Sequence, residues 1–525
     1  MTSKKIILSN KKDLTIITFF MLLANIISQG IPTLIKVLSD NLTGISIIKI
    51  TIIGIGLIFL GFIEYFSNIL ADKFYFSYTN KIGNELLEKF LKALLNTKSS
   101  KIRKYNPDNL LRMATDDINQ LKKSIVKEFF ISVSTIVSII TLLCFVIHLD
   151  YKLAILTIIW YLLYFSLSNK LINTIYKKRY VERQEYTNIV SYSKDVIFGA
   201  NDFKYFANCN LFFDKIKKIN NKYNEANVKL MISSSMANYL TYIGSFTNIA
   251  LIMLYKYFYA NDVSTGTLLA MFMYTSKYAD LFQNILYLKT LIKDNKAMLE
   301  PYNEIIADNT DTKLKIDKQI NHIVLKNLSI NYEGKSIVKD FNYDFTVGKI
   351  YIISGTSGKG KTSILNSIVN EIDFNGEIFI NNINSNKISK ECINDRFAYI
   401  NQNVYLINGT IQDNINLFNT EPFNNLIVKN ILGFSNPDFY LGNSEIDKIS
   451  GGERKRIAFG RLLRCIELKD VILIDETFAN LDKENSQKIA TSIIDKIDEK
   501  ILIIVSHDDF IKNIFRTDQT EYIEI

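Results

Sequence analysis

The stretch "IISGTSGKGKTSIL", residues Ile352–Leu365, decides how the second half of the chain folds. A β-rich apolar run ends in "GTSGKGKT", where Gly355, Gly360, Lys361 and Thr362 satisfy G-x-x-x-x-G-K-[ST] and Gly358 adds a further glycine. Backbone amides can wrap a phosphate only where side chains leave the approach open, so glycines recur at this spacing. Lys361 is placed to reach the β and γ phosphates and Thr362 to hold Mg²⁺. A helix beginning near Lys361 would point its positive end at the anion. The candidate ATP-binding residues here are Gly355, Thr356, Ser357, Gly358, Lys359, Gly360, Lys361, Thr362 and Ser363.

Outward from this loop, the runs "KIYIIS", "RFAYI", "DVILID" and "KILIIVS" alternate with helix-like segments from Ile320 onward. That alternation predicts an α/β sheet. "VILID" ends in Asp475 and is followed at once by Glu476. A buried strand can present the first carboxylate to Mg²⁺ and the second to an attacking water, whereas the competing reading of such a pair is a plain turn.

The first half has a different character. A chain of 525 residues and 60.5 kDa exceeds what one core holds. Uncharged apolar runs cover Leu14–Ile35, Phe129–Leu149, Leu153–Asn169 and Leu230–Tyr255, and about 20 such residues cross a bilayer. Two shorter runs, Ile50–Ile63 and Val263–Ser276, continue as helical patterns past Glu64 and Lys277. Six spans are therefore expected, the alternative for the short pair being buried soluble helices. The connections 39–46, 150–152 and 260–262 are short and poor in Lys and Arg. Those over 72–128 and 170–229 carry twelve Lys plus Arg each, and Lys4, Lys5, Lys11 and Lys12 precede the first span. This asymmetry places both termini and the long connections in the cytoplasm. A net charge of +9 concentrated beside apolar runs suits a membrane and argues against a nucleic-acid partner. Cys144, Cys209, Cys392 and Cys465 form no CxxC pair and read as packing thiols. No small-residue cleavage site follows the first run, so a retained span is expected rather than a removed signal peptide. "DNTDTKLKIDK", residues 308–318, is polar and reads as a linker.

"ISGGERKR", Ile449–Arg456, resembles the signature of ATP-binding cassette (ABC) proteins, and the family's other elements follow in order. Tyr332 in "SINYEG" is similar to the aromatic residue that stacks on adenine. Gln402 in "AYINQNVYLINGTIQDNI" is similar to the glutamine that couples Mg²⁺ to the membrane domain. "ANLD", ending at Asp482, resembles the loop that crosses the dimer interface, and His507 stands where the family senses the γ phosphate. By this resemblance Glu476, His507 and Lys361 are catalytic. Thr362, Gln402 and Asp475 hold the metal, and Ser450, Gly451, Gly452 and Glu453 act in trans on the other subunit's ATP.

The chain as a whole resembles an exporter-type half-transporter, a six-helix all-α membrane domain fused to an α/β P-loop ATPase domain with a helical subdomain. The implied division is 1–307 for the membrane domain, 308–318 for the linker and 319–525 for the nucleotide-binding domain. Short coupling helices are expected near Ser99–Tyr105 and Asp202–Phe206. The resemblance implies an ATP hydrolase using ATP and Mg²⁺, working as a dimer in membrane lipid, with a homodimer favoured over a heterodimer. It further implies export of an amphipathic small molecule or peptide by alternating access from a bacterial plasma membrane. A siderophore-type importer and a non-transporting sensor or immunity subunit are the alternatives. Glu64, Lys277 and Asp280, ionisable residues inside spans, are candidate substrate-cavity residues, together with Asn25 and Gln29. Four features depart from the family: the short interval from Gln402 to Ser450, the segment "LGNSEIDK", Glu453 in place of glutamine, and Lys359 in the phosphate loop. The first span begins almost at once, with no peptidase domain before it, which disfavours leader-cleaving bacteriocin export.

Overall fold

A computed structural model describes residues 11–41, 47–105, 107–206, 209–259, 263–307, 314–332, 335–356, 358–419, 424–436, 438–442, 449–479 and 481–525. Ser357, the first six linker residues, most of "LGNSEIDK" and Asn480 lie outside the described residues. The chain forms two units, 1–91 with 111–304, and 92–110 with 305–525.

The first unit contains six long helices: α1 (Lys11–Asn41), α2 (Ile47–Asn96), α5 (Ile118–Leu149), α6 (Tyr151–Phe198), α8 (Cys209–Tyr259) and α9 (Thr265–Ala307). Between them come α3 (Ser99–Lys104), α4 (Pro107–Arg112) and α7 (Ala200–Phe206). The long connections, expected as loops, are largely helical continuations of the spans. In α2 the cause is a buried stripe, Tyr78, Ile82, Leu86, Phe90 and Ala93, that keeps helical spacing well past the apolar run. Tyr302 of α9 stacks on Phe90 and donates its hydroxyl to the Leu86 carbonyl at 2.8 Å.

Ile52, Ile55, Phe59, Phe62 and Phe66 of α2 point outward, each more than half exposed. A surface that apolar is stable against lipid rather than water. Among the described residues, 11–40, 50–96 and 109–149 hold three helices long and apolar enough to cross a membrane, with a shorter apolar stretch at Tyr151–Tyr164. The weak-looking run after Ile50 is among the strongest of these. The runs expected in α6 and α8 are diluted by segments such as "SLSNK" and "SSSMANYLTY". At one end of the bundle, Asp40 accepts from the Gly266 amide and the Ser264 hydroxyl, both at 2.8 Å, and so joins the end of α1 to the start of α9. Asp150 caps α6 by accepting from the Lys152 and Leu153 amides.

The second unit is built on a parallel sheet of β3 (Lys349–Ser354), β6 (Phe397–Ile400), β9 (Val471–Asp475), β10 (Ile501–Val505) and β11 (Thr520–Glu524), in the order β11-β3-β10-β9-β6. Both faces are covered, so the central strands are continuous apolar runs rather than alternating ones. An antiparallel sheet, β2-β1-β4-β5, comprises β1 (His322–Tyr332), β2 (Lys335–Thr346), β4 (Asn375–Ile380) and β5 (Ile383–Asn384). The short pair β7 (Gly409–Thr410) and β8 (Tyr440–Leu441) precedes α11 (Gly451–Cys465), and α12 (Lys483–Ile494) lies beyond β9; α10 (Lys361–Ile368) follows β3.

The division differs from the expected one at both edges. Leu314, in the expected linker, exchanges backbone hydrogen bonds with Lys387 and Ser389, and Ile316 is buried with its amide on Cys392 Sγ. Residues 92–110 join this unit through Glu371. Its carboxylate accepts from Ser99 N at 2.7 Å and Ser99 Oγ at 2.6 Å, and its carbonyl accepts from Ser100 N at 3.0 Å.

Candidate nucleotide and substrate sites

The phosphate loop connects β3 to α10, and its glycines are required by backbone geometry. Gly355 has φ +147°, and a Cβ there would meet the Ile525 carbonyl oxygen at 2.4 Å; Gly360, the N-cap of α10, has φ +91° and is pressed against Val338 and Ile337. Lys361 is buried and curls back, donating Nζ to the carbonyls of Gly355 at 2.8 Å and Thr356 at 3.1 Å. An ammonium held only by loop carbonyls can turn to a phosphate without leaving a charged partner behind.

Asp475 closes the fully buried strand β9 and is itself 1% exposed. Burial pushes its carboxyl above the usual aspartate range, against a hydrogen bond from Thr362, while Glu476 raises it further and Lys361 opposes. Among the described residues its buried Oδ1 has no hydrogen-bond partner. An orphaned carboxylate oxygen beside a threonine hydroxyl and a lysine fits a divalent cation bridging to phosphate. The donor set therefore suits ATP with Mg²⁺.

Glu476 sits just beyond the strand end with φ +47°, a left-handed backbone uncommon for glutamate. Its amide donates to the Val505 carbonyl at 3.0 Å. Its carboxylate is held from two sides, with Gln402 Nε2 donating to Oε2 at 3.1 Å and His507 Nε2 lying 3.4 Å from Oε1. Three candidates far apart in sequence thus meet around one carboxylate. Tyr332 ends β1 with 57% of its surface exposed, as a stacking platform requires.

Ser450 is the N-cap of α11. Its amide and hydroxyl donate to Glu453 Oε2 at 3.0 and 2.9 Å, while the Glu453 amide donates back to Ser450 Oγ at 3.2 Å. Glu453 is thereby occupied in fixing the helix start, a task a carboxylate performs well at this position. A Cβ on Gly451 would meet nothing within 4 Å, which leaves the helix start open to an approaching group. Asp482 precedes α12 and accepts from Asn485 Nδ2 at 2.8 Å.

Two residues absent from the sequence reading stand out. Lys455 of α11 donates Nζ to the carbonyls of Glu476 at 3.3 Å and Ala479 at 2.5 Å. Arg461, one and a half turns further on, donates to the carbonyls of Asn414 and Tyr405, both at 2.8 Å. Cations in "GGERKRIAFGRLLR" read as a solvated face, and only the fold supplies the carbonyls they meet.

In the first unit, Glu64, Lys277 and Asp280 line one cavity of about 250 Å³ with Asn25 and Gln29. Lys277 donates Nζ to Ser28 Oγ at 2.6 Å, and Asn25 Nδ2 donates to Ser134 Oγ at 3.1 Å. The lysine ammonium is thus directed to α1.

Residues 14–278, half of the chain, match the family described as "ABC transporter transmembrane region", and residues 338–479 match the one described as "ABC transporter". The chain is 28% identical over 260 residues to the microcin-J25 export ATP-binding/permease protein McjD of Escherichia coli, covering 47% of this chain and 44% of that protein, less than half of its length. It is 24% identical over 535 residues to the ATP-dependent lipid A-core flippase of Wigglesworthia glossinidia brevipalpis, covering 95% of this chain and 89% of that one. The fold is similar to that of a bacterial Atm1-family ABC exporter with ATP bound, at a TM-score of 0.80 and 16% identity, over 98% of this chain and 93% of that one. A phosphate loop, a paired carboxylate site and a signature helix, joined in one polypeptide to a unit of six long helices that matches the transmembrane-region family over half of the chain, make this chain a member of the ABC transporter family.

Proposed function

We propose that the chain is an ATP-driven exporter of an amphipathic small molecule or peptide, working by alternating access as a homodimer in a bacterial plasma membrane, with both termini and the ATPase domain cytoplasmic. The observation that carries this reading is Glu476, fixed between Gln402 and His507 beside the orphaned Asp475 oxygen, in the same chain as the lipid-suited helices. Bound MgATP supplies the transferable phosphoryl group and the cation that offsets its charge. Lys361 neutralises the phosphates, and Thr362 and Asp475 hold the cation. Glu476 orients and deprotonates the attacking water, with His507 and Gln402 keeping its carboxylate in place. Ser450, Gly451 and Gly452 act on the other copy's nucleotide. Closure of the pair on nucleotide has a higher affinity than the open form, and that difference drives the helices. The relatives named for microcin-J25 export and for a lipid A-core flippase support an amphipathic cargo, received here at Glu64, Lys277 and Asp280.

The test is ATP-dependent accumulation in proteoliposomes of a panel of peptides, lipids and cationic dyes. Lys361→Ala should lose nucleotide binding. Glu476→Gln should bind ATP yet hydrolyse it about 100-fold or more slowly, the usual scale for a missing general base. Wild-type-like turnover in Glu476→Gln would sink the catalytic assignment, and turnover without accumulation of any compound would favour a sensor.

A further inference from the structure

The carboxylate-bearing cavity adjoins a larger one. A second space of about 780 Å³ shares Met21 and Asn68 with it and extends along α2, α5 and α9. The two ends differ in charge. The inner cavity has Glu64 and Asp280 against the single ammonium of Lys277, which is turned to Ser28. The outer one has Lys122, Lys123 and Lys127 against Asp72 and Asp294, and Asp294 is already paired with Arg179 at 2.7 Å. The inner end is therefore net negative and the outer end net positive, with aromatic rings of Tyr75 and Tyr287 along the outer wall.

We propose that these adjoining cavities together form a dipolar groove that binds a short linear peptide with free termini, its ammonium at Glu64 and Asp280 and its carboxylate at Lys127 or, for a longer chain, at Lys122. The inference rests on the export reading and specifies its substrate. The spacing of the charges selects the class. Lys122 donates to Asn80 Oδ1 at 3.3 Å, and Asn80 lies sixteen positions after Glu64 on α2, about 24 Å of helical rise. Lys127 lies over the Tyr287 ring at 4.6 Å, and Tyr287 follows Asp280 by seven positions on α9, about 10 Å. A zwitterionic lipid headgroup, whose ammonium and phosphate are bonded through two carbons, cannot reach both ends. An extended peptide advances about 3.3–3.6 Å per residue, so about three to seven residues bridge the gap. The amides and hydroxyls of Asn25, Asn68, Asn284 and Ser134 offer hydrogen bonds to its backbone, and the outer rings offer apolar contact.

The full-length protein in phosphatidylcholine liposomes tests this with a tyrosine-containing hexapeptide in four forms: free-ended, N-acetylated, C-amidated and doubly capped. The readouts are the peptide concentration giving half-maximal ATPase stimulation and ATP-dependent accumulation measured by mass spectrometry. Each single cap should raise the half-maximal concentration tenfold or more, and a dipeptide should not stimulate. In Glu64→Gln/Asp280→Asn the acetyl penalty should shrink below twofold while the amide penalty persists; in Lys122→Gln/Lys127→Gln the pattern should reverse. Equal responses to free and capped peptides overturn the inference with wild-type protein alone, as do penalties unchanged in both variants. Stimulation by phosphatidylethanolamine liposomes without peptide would assign the groove to a lipid instead. Accumulation of a cationic dye but of no peptide refutes the peptide while leaving export standing, whereas ATP turnover with no accumulation of anything refutes both.

Discussion

Lys455→Met removes the ammonium that holds the backbone of Glu476, the proposed catalytic carboxylate, while keeping an unbranched stem that fills similar space. In the native fold Lys455 Nζ donates to the Glu476 and Ala479 carbonyls. Burial pulls its pKa below the usual lysine value, and Glu476 acts in the opposite sense. The residue it pins has φ +47°, a conformation that costs about 1–3 kcal/mol and persists only when neighbours enforce it. A hydrogen bond from a charged donor contributes about 1.5–3 kcal/mol, and the 3.3 Å contact to Glu476 belongs at the weak end of that range. Recovered desolvation offsets part of the loss. About 1.5 kcal/mol of positioning at most should then disappear, equivalent to a fall of up to about tenfold in kcat. KM for ATP should stay within about threefold, because Lys361 and Tyr332 are untouched. Thermal midpoint should drop by only a few degrees, at about 2–4 °C per kcal/mol for a domain of this size. Lys455→Arg, which keeps a charged donor, should recover most of the rate. Steady-state ATPase kinetics on the purified protein decide the matter. A kcat within twofold of wild type, or a loss carried by KM alone, would refute the positioning argument.

Glu371 gives a pH-dependent counterpart: burial would raise its pKa, but hydrogen bonds from Lys390 and Ser99 outweigh this and hold it below the usual glutamate value. A depressed acid contributes stability that is present above the ordinary glutamate pKa and is lost as pH falls through the folded value, so amide protection factors at residues 99–105, corrected for the pH dependence of intrinsic exchange, should fall in acid. Glu371→Gln should speed that exchange about tenfold at neutral pH and remove its acid dependence, and unchanged protection would refute the role of the carboxylate. For assembly, both halves of the ATP site are present in this sequence, so the singly expressed chain should purify as an active dimer. An inactive monomer rescued only by a second subunit would contradict this.

The parallel strands were legible because both faces are covered, which leaves unbroken apolar runs such as "VILID" and "ILIIV". The phosphate loop was legible because its glycines answer a backbone requirement that no other residue meets at Gly355 and Gly360. The polar residues of the spans were readable one by one, yet their convergence in one cavity depends on how α1, α2, α5 and α9 pack. Helix extensions were missed because charge counts dominate the 72–128 and 170–229 segments, while the buried stripe that continues α2 is spread thinly among them. Ser99 and Glu371 lie far apart in the chain, and no local pattern announces that one will hold the other.

The same limitation hid the signature helix's attachments, and these bear on how one subunit's chemistry reaches its partner. α11 begins with the glycines proposed to act on the other copy's nucleotide, and Lys455 joins its first turns to the carbonyls after β9, where Glu476 is proposed to serve this copy's own nucleotide. Further along, Arg461 donates to Asn414 and Tyr405, in the segment that follows Gln402, while Gln402 itself donates to Glu476. Burial lowers the Arg461 pKa relative to an exposed arginine, yet the group remains a cation and its donors are spent on those carbonyls. α11 is thus tied to Glu476 by a direct bond to its main-chain carbonyl and by an indirect one to its side chain through the glutamine segment. Because packed elements bonded at two points move together rather than bend, a displacement of Glu476 carries the signature helix with it. Two equivalent copies joined this way would each transmit their own hydrolysis to the other's site, which is the physical reason to expect cooperative ATP turnover in the homodimer and its loss when Lys455 is replaced.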